Sequence, residues 1–269
     1  MTLVTTCLAG GILLLLALIF SYILCWANKA FHVEIDPRIE AIMEVLPGAN
    51  CGGCSYVGCG EYAEAIVNEG APVDACAPGG AAASSAIAEI MGVEVCAAAP
   101  NRAVVHCGAT DDKRFGQGEY LGERKCAAAS GVAGVQSCAY GCLGFGDCVK
   151  ACTYDAIHIE NGLATVNYQR CVGCGACARA CPRNLITMTP FPADRIYVIN
   201  CSNRDGGKEV KEVCAVGCIA CKACTKKSDL FTMEGNLPVL DYEKYDPADT
   251  EGLEAAAEKC PTGCIGLAG

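Results

Sequence analysis

Two stretches of the chain are near copies of one another, and cysteine sets the pattern in both. The first runs Cys142, Cys148, Cys152, the alternating segment IHIENGLATVN, the tripeptide YQR, then Cys171, Cys174, Cys177 and Cys181-Pro182. The second runs Cys218, Cys221, Cys224, FTMEGNLPVLD, YEK, and then only Cys260-Pro261. Tyr245 stands where the first copy has Cys171, no CxxCxxC follows it, and Ser228 occupies the position of Cys152. These losses come as one set, which is the behaviour of thiols that share a metal centre.

The chain holds 24 cysteines but three histidines, so thiolate is the only ligand type available to many metal centres at once. Disulfide scaffolding belongs to small secreted domains. Zinc ribbons also use CxxC pairs, yet tight three-cysteine runs followed by Cys-Pro suit zinc poorly and suit 4Fe-4S clusters well. In two-cluster ferredoxins three close cysteines hold one cluster and the distant Cys-Pro cysteine completes the other. Losing one cluster of a pair then removes its three ligands and its distant fourth, and leaves Cys260 in place for the survivor.

That crossed rule assigns Cys171, Cys174 and Cys177 with Cys152 to one cluster, and Cys218, Cys221 and Cys224 with Cys260 to another. The cluster completed by Cys181 needs three ligands from a stretched segment, read here as Cys138, Cys142 and Cys148. Upstream, Cys51, Cys54, Cys59 and Cys76 offer a further site, with glycines 52, 53, 58 and 60 letting the backbone wrap closely. Four 4Fe-4S clusters are expected. Cys107 and Cys201 end the strand-like runs AVVH and IYVIN, and Cys126 and Cys214 follow them. Those four either build a fifth cluster site or are buried thiols. Cys96 and Cys264 are read as buried thiols, and Cys7 and Cys25 as small apolar residues.

Residues Leu3 to Ala27 carry no charge and are long enough to cross a bilayer as one helix. A cleaved signal peptide would need a positive n-region and a shorter apolar run. Lys29 and Arg38 follow the span, which places the soluble part on the cytoplasmic side of the inner membrane, single-pass. The expected class is α+β: a transmembrane anchor over 1–28, a single-cluster iron-sulfur domain over 29–95 and a connecting segment over 96–136. A two-cluster ferredoxin-like module over 137–190 and a degenerate one-cluster copy over 191–269 follow. The Asn161-Gly162 pair predicts a hairpin turn in the middle module.

A formal charge of −10 excludes a nucleic-acid surface. No glycine-rich phosphate loop follows a strand, so this chain alone is expected to bind no nicotinamide cofactor. Gly108-Ala109-Thr110 matches only the short core of a flavin attachment motif. His32, His106 and His158 stand in unrelated contexts, so no hydrolytic constellation forms and no catalytic residue is assigned. Electron transfer remains.

The order of parts, an anchor helix, NCGGCSYVGC with Cys76, SCAYGCLGFGDC and CVGCGACARACP, resembles the B subunit of Rnf complexes, membrane ferredoxin:NAD oxidoreductases coupled to ion translocation. The resemblance implies that electrons arrive from soluble ferredoxin and pass toward membrane and peripheral partner subunits, which would hold the flavins, the NAD site and the ion pathway. A membrane polyferredoxin of another oxidoreductase, such as a hydrogenase, is the alternative, and a redox sensor or cluster carrier the next. Lys226 and Lys227, with Arg179 and Arg183, are candidate docking charges for an acidic ferredoxin.

Overall fold

The computed structural model describes residues 2–31, 36–94, 99–116 and 118–269. Helix α1, Thr2–Ala30, has no acidic residue in its first turn and Lys29 in its last. From Cys7 to Ala30 none of it is buried against the rest of the chain, and it is long and apolar enough to cross a membrane. His32 lies outside the described residues.

A three-helix module follows: α2 (Pro37–Val45), α3 (Cys59–Glu69) and α4 (Gly80–Met91). Asp36 caps α2 by accepting from the Arg38 amide at 2.9 Å, with Pro37 at the first helical position, where no amide is needed. Gly70 and Gly92 end the next two helices in the left-handed conformation that favours glycine. Ile42, Leu46, Tyr62, Ile66 and Ile87 form the core, and Cys76 belongs to it. The Tyr62 hydroxyl donates to the Pro72 carbonyl at 2.6 Å and accepts from the Ala75 amide at 3.1 Å, which fixes the loop carrying Cys76. Cys96 lies outside the described residues.

The rest of the chain is the same small fold built twice. In the first unit strand β1 (Asn101–Val105) pairs antiparallel with β4 (Ile186–Pro190) and encloses the hairpin β2 (Ile157–Glu160) and β3 (Leu163–Val166). In the second, β5 (Ile196–Ile199) pairs with β8 (Ile265–Ala268) around the hairpin β6 (Phe231–Glu234) and β7 (Leu237–Leu240). Asn161 and Gly162 turn the first hairpin with φ of 47° and 75°, the pair of positive values a tight two-residue turn requires. Short helices α5 (Cys126–Ala129), α6 (Asp147–Lys150) and α7 (Ala176–Ala180) sit in the first unit, and α8 (Gly207–Val213) and α9 (Glu251–Glu258) in the second.

The segment 96–136 is not the bare connector that its sequence suggests, because β1 supplies the partner that β4 needs and the unit begins near residue 101. In the second unit, apolar packing replaces the missing set of thiols. Tyr245, Leu253 and Ala256 are buried with Phe231 and Leu240, and Tyr242 packs near Tyr245 with ring centroids 6.1 Å apart. The first unit's core, by contrast, is partly made of thiols, with Cys142, Cys148 and Cys177 buried among Ala103, Ile157, Ala164, Leu185 and Ile186.

Candidate metal centres

In the helical module Cys51, Cys54, Cys59 and Cys76 face one another. Burial raises the Cys76 pKa, and the charges of Cys59, Cys54 and Cys51 push the same way. Asn50 accepts from the Cys59 amide at 2.8 Å and so fixes the start of α3 at a cysteine of the set.

In the first ferredoxin-like unit Cys152, Cys171, Cys174 and Cys177 come together. Burial pushes Cys177 up to about 11, and Cys171, Cys174 and Cys152 add to the rise. The second set of this unit is Cys126, Cys142, Cys148 and Cys181, which ring a cavity of about 410 Å³ with Gly144, Gly146 and Pro182. Burial pushes Cys148 up to about 12, with Cys142, Cys126 and Cys181 among its neighbours. Cys138, expected here from its spacing, lies elsewhere. The turn Asp147–Lys150 carries Cys148 inward while α5 brings Cys126 over the same cavity, so Cys126 takes the place that linear spacing suggests for Cys138.

Cys138 instead joins Cys107, Cys201 and Cys214 around a cavity of about 380 Å³ between the two units. His106 holds this junction. Its Nδ1 lies 2.7 Å from the Ile199 carbonyl, which can only accept, so Nδ1 carries the proton and Nε2 accepts from the Thr187 hydroxyl, also at 2.7 Å. Burial lowers the His106 pKa and favours that neutral form. The ends of β1 and β5 are thereby set side by side, with Cys107 and Cys201 just beyond them. Asn203 Nδ2 donates to Cys138 Sγ at 3.5 Å.

The last set, Cys218, Cys221, Cys224 and Cys260, lines a cavity of about 350 Å³, and Cys264, read from sequence as a free buried thiol, lines it too. Cys264 Sγ is 3.5 Å from Cys260 Sγ, and hydrogen bonding from Cys264 lowers the pKa of Cys260 and of Cys218 while its own rises.

Backbone amides point at sulfur throughout: Ala156 to Cys152 at 3.4 Å, Leu185 to Cys181 at 3.5 Å, Cys142 to Cys107 at 3.5 Å and Cys218 to Cys201 at 3.2 Å. Among the described residues no three donors converge on one point as a lone tetrahedral ion demands. Thiols ringing a cavity, with amides aimed at their sulfurs, are the donor chemistry of an iron-sulfur cluster. Thiols raised by burial release protons when such a centre binds, because its positive charge replaces theirs.

The sets form a row. Cys51 adjoins Cys174, Cys177 adjoins Cys148, Cys142 donates to Cys107, and Cys218 donates to Cys201. Cys221, in the last set, is exposed, with exposed Lys222, Lys226 and Lys227 nearby. Arg183 is not available for docking, since it donates to the carbonyls of Cys138 and Gly141 at 3.1 and 2.6 Å.

A row of thiol-lined sites in a chain whose first helix is long and apolar enough to cross a membrane defines the class, an iron-sulfur electron-transfer protein. Residues 46–78 match the family described as putative Fe-S cluster, and residues 164–187 the 4Fe-4S binding domain. The chain is 40% identical to the B subunit of the Na(+)-translocating ferredoxin:NAD(+) oxidoreductase complex of Acetobacterium woodii, over 95% of this chain and 76% of that one. It is 37% identical to the B subunit of the proton-translocating ferredoxin:NAD(+) oxidoreductase complex of Clostridium ljungdahlii, over 94% and 89% of the two chains. It is also 37% identical to the B subunit of the ion-translocating oxidoreductase complex of Methanosarcina acetivorans, over 90% of each chain. The chain belongs to this family, the B subunits of the ion-translocating oxidoreductase, or Rnf, complexes.

Proposed function

We propose that the chain accepts single electrons from reduced ferredoxin and relays them along five 4Fe-4S clusters toward membrane partners of an Rnf-type complex. The partners use them for NAD reduction coupled to ion translocation. The ligand sets are Cys51, Cys54, Cys59 and Cys76; Cys152, Cys171, Cys174 and Cys177; Cys126, Cys142, Cys148 and Cys181; Cys107, Cys138, Cys201 and Cys214; and Cys218, Cys221, Cys224 and Cys260. What carries the reading is the row itself, which runs from an exposed thiol beside lysines to the module that follows the apolar helix.

A 4Fe-4S cluster supplies a one-electron carrier whose potential follows the hydrogen bonds, charge and solvent around it. The chain's own residues do the tuning. Amides on Cys107, Cys152, Cys181 and Cys201 favour the more negative, reduced state. Cys138, Cys142, Cys148, Cys177 and Cys201 are buried, which limits the solvent at the middle three sets. Ferredoxin enters at the lysine-flanked Cys221, and the soluble part faces the cytoplasm behind a single membrane span.

The test is anaerobic reduction of the full chain in detergent by reduced ferredoxin, followed by cluster bleaching. Reversing Lys226 and Lys227 to Glu should slow reduction about tenfold at low salt, with the difference shrinking as salt rises. Unchanged rates and salt dependence would remove the entry site, and failure of the unaltered chain to be reduced would remove the function.

A further inference from the structure

Four of the five sets are joined within the ferredoxin-like units, three joints being made by the chain's own fold. The fourth joint, between the helical module and the first unit, is different. Across it, among the described residues, one side-chain hydrogen bond connects residues 36–94 to residues 99–269: Arg179 Nη2 donates to the Cys51 carbonyl at 3.1 Å. The same guanidinium donates through Nη1 to the Cys174 carbonyl at 3.2 Å. No ion pair crosses there among the described residues. The planar fork of arginine is suited to holding two acceptors at a fixed separation, which a lysine ammonium is not.

The backbones also meet closely at the same spot. A methyl group on Gly53 would sit 3.0 Å from the Cys174 carbonyl oxygen and 3.3 Å from the Cys174 Cα. On the other side Gly173, whose glycine is required by the Asn101 carbonyl of its own unit, leaves Ala77, one residue beyond Cys76, at ordinary contact distance. Both modules thus bring ligand-bearing backbone to a single contact, and Gly53 leaves the room for it on the helical side.

We infer that the Cys51–Cys174 contact is where electrons cross between the helical module and the ferredoxin-like unit, and that Arg179 is the positioning residue that holds it closed. The inference rests on the cluster reading. One electron passes, oxidising the donor centre and reducing the acceptor by the same amount, and no bond is made or broken. Arg179 bonds to the two carbonyls rather than to sulfur and acts on separation alone.

The experiment uses the full chain with Arg179→Gln and Arg179→Lys, prepared anaerobically. Iron per chain should match the unaltered protein in both. Hydrogen exchange at residues 51–54 and 172–176 should quicken, and reduction by ferredoxin should split, with one cluster's share of the bleaching turned into a slow phase. That slow phase should vanish when Arg179→Gln is combined with Cys54→Ala, which removes the acceptor. Lysine keeps the charge but cannot bridge both carbonyls, so Arg179→Lys should show the slow phase with unchanged midpoint potentials. Full rescue by lysine, loss of iron in Arg179→Gln, or a single fast phase in every variant would each overturn the inference. An unaltered chain without iron would instead overturn the cluster reading.

Discussion

Iron removal from the full chain should unfold residues 101–190 while the second unit keeps part of its structure. The first unit buries Cys142, Cys148 and Cys177 in its core, and Cys107, Cys152, Cys171 and Cys181 pack against it. Without a cluster those positions present polar, ionisable groups to one another at close range. In small metal domains the bound metal contributes about 10 kcal/mol or more, as much as the whole stability of an ordinary domain. The second unit has lost one set and gained Tyr245, Leu253 and Ala256 beside Phe231, Leu240, Ile196 and Val198. Each fully buried Leu, Ile, Val or Phe contributes about 1.5–3 kcal/mol. Hydrogen exchange after anaerobic chelation should therefore show full exchange for peptides within 101–190 and residual protection for 196–199 and 251–258. Uniform protection, or one cooperative melt of the iron-free chain, would contradict this.

Paired cysteine substitutions should sort the thiols into sets by iron count. Five clusters give about 20 iron atoms per chain, and loss of any one leaves about 16. Cys126→Ala with Cys148→Ala strikes one set twice and should leave about 16. Cys138→Ala with Cys148→Ala strikes two sets and should leave about 12. The grouping expected from spacing alone, with Cys138 beside Cys148, predicts the reverse. Single substitutions cannot make this distinction, because each set loses its centre whichever thiol is removed. Cys264→Ala should leave the count intact.

The sequence is most legible where spacing is local. CVGCGACARACP names its own ligands because three of them fall within one turn-and-helix segment, and Asn161-Gly162 announces the hairpin. It is least legible where a set draws on distant segments. Cys126 reaches its cavity from a short helix far upstream of Cys142, and nothing in its neighbours marks that path. For Cys138 a signal is present. Cys138-Ala-Tyr-Gly-Cys142 and Cys214-Ala-Val-Gly-Cys218 are the same phrase, and Cys107 and Cys201 follow equivalent strands. Equivalent residues of two repeats that pack together meet at their junction, which pairs Cys107 and Cys138 with Cys201 and Cys214. Periodicity within one repeat cannot reveal a site shared by two. Cys264 escapes because a fifth thiol at a four-ligand cavity has no spacing rule.

The crossed topology also sets a timetable for biosynthesis. As the chain emerges from its amino end, the thiol sets become complete at Cys76, then Cys177, then Cys181, then Cys214, and finally within the Cys260 segment. That sequence of completion is the same as the order of the row, counted from the helical module. Domains generally fold as units during synthesis, amino end first. The junction set, whose thiols span Cys107 to Cys214, leaves Cys107 and Cys138 waiting longest for their partners. It is the step at which an oxidant meeting the unfinished chain would do most harm.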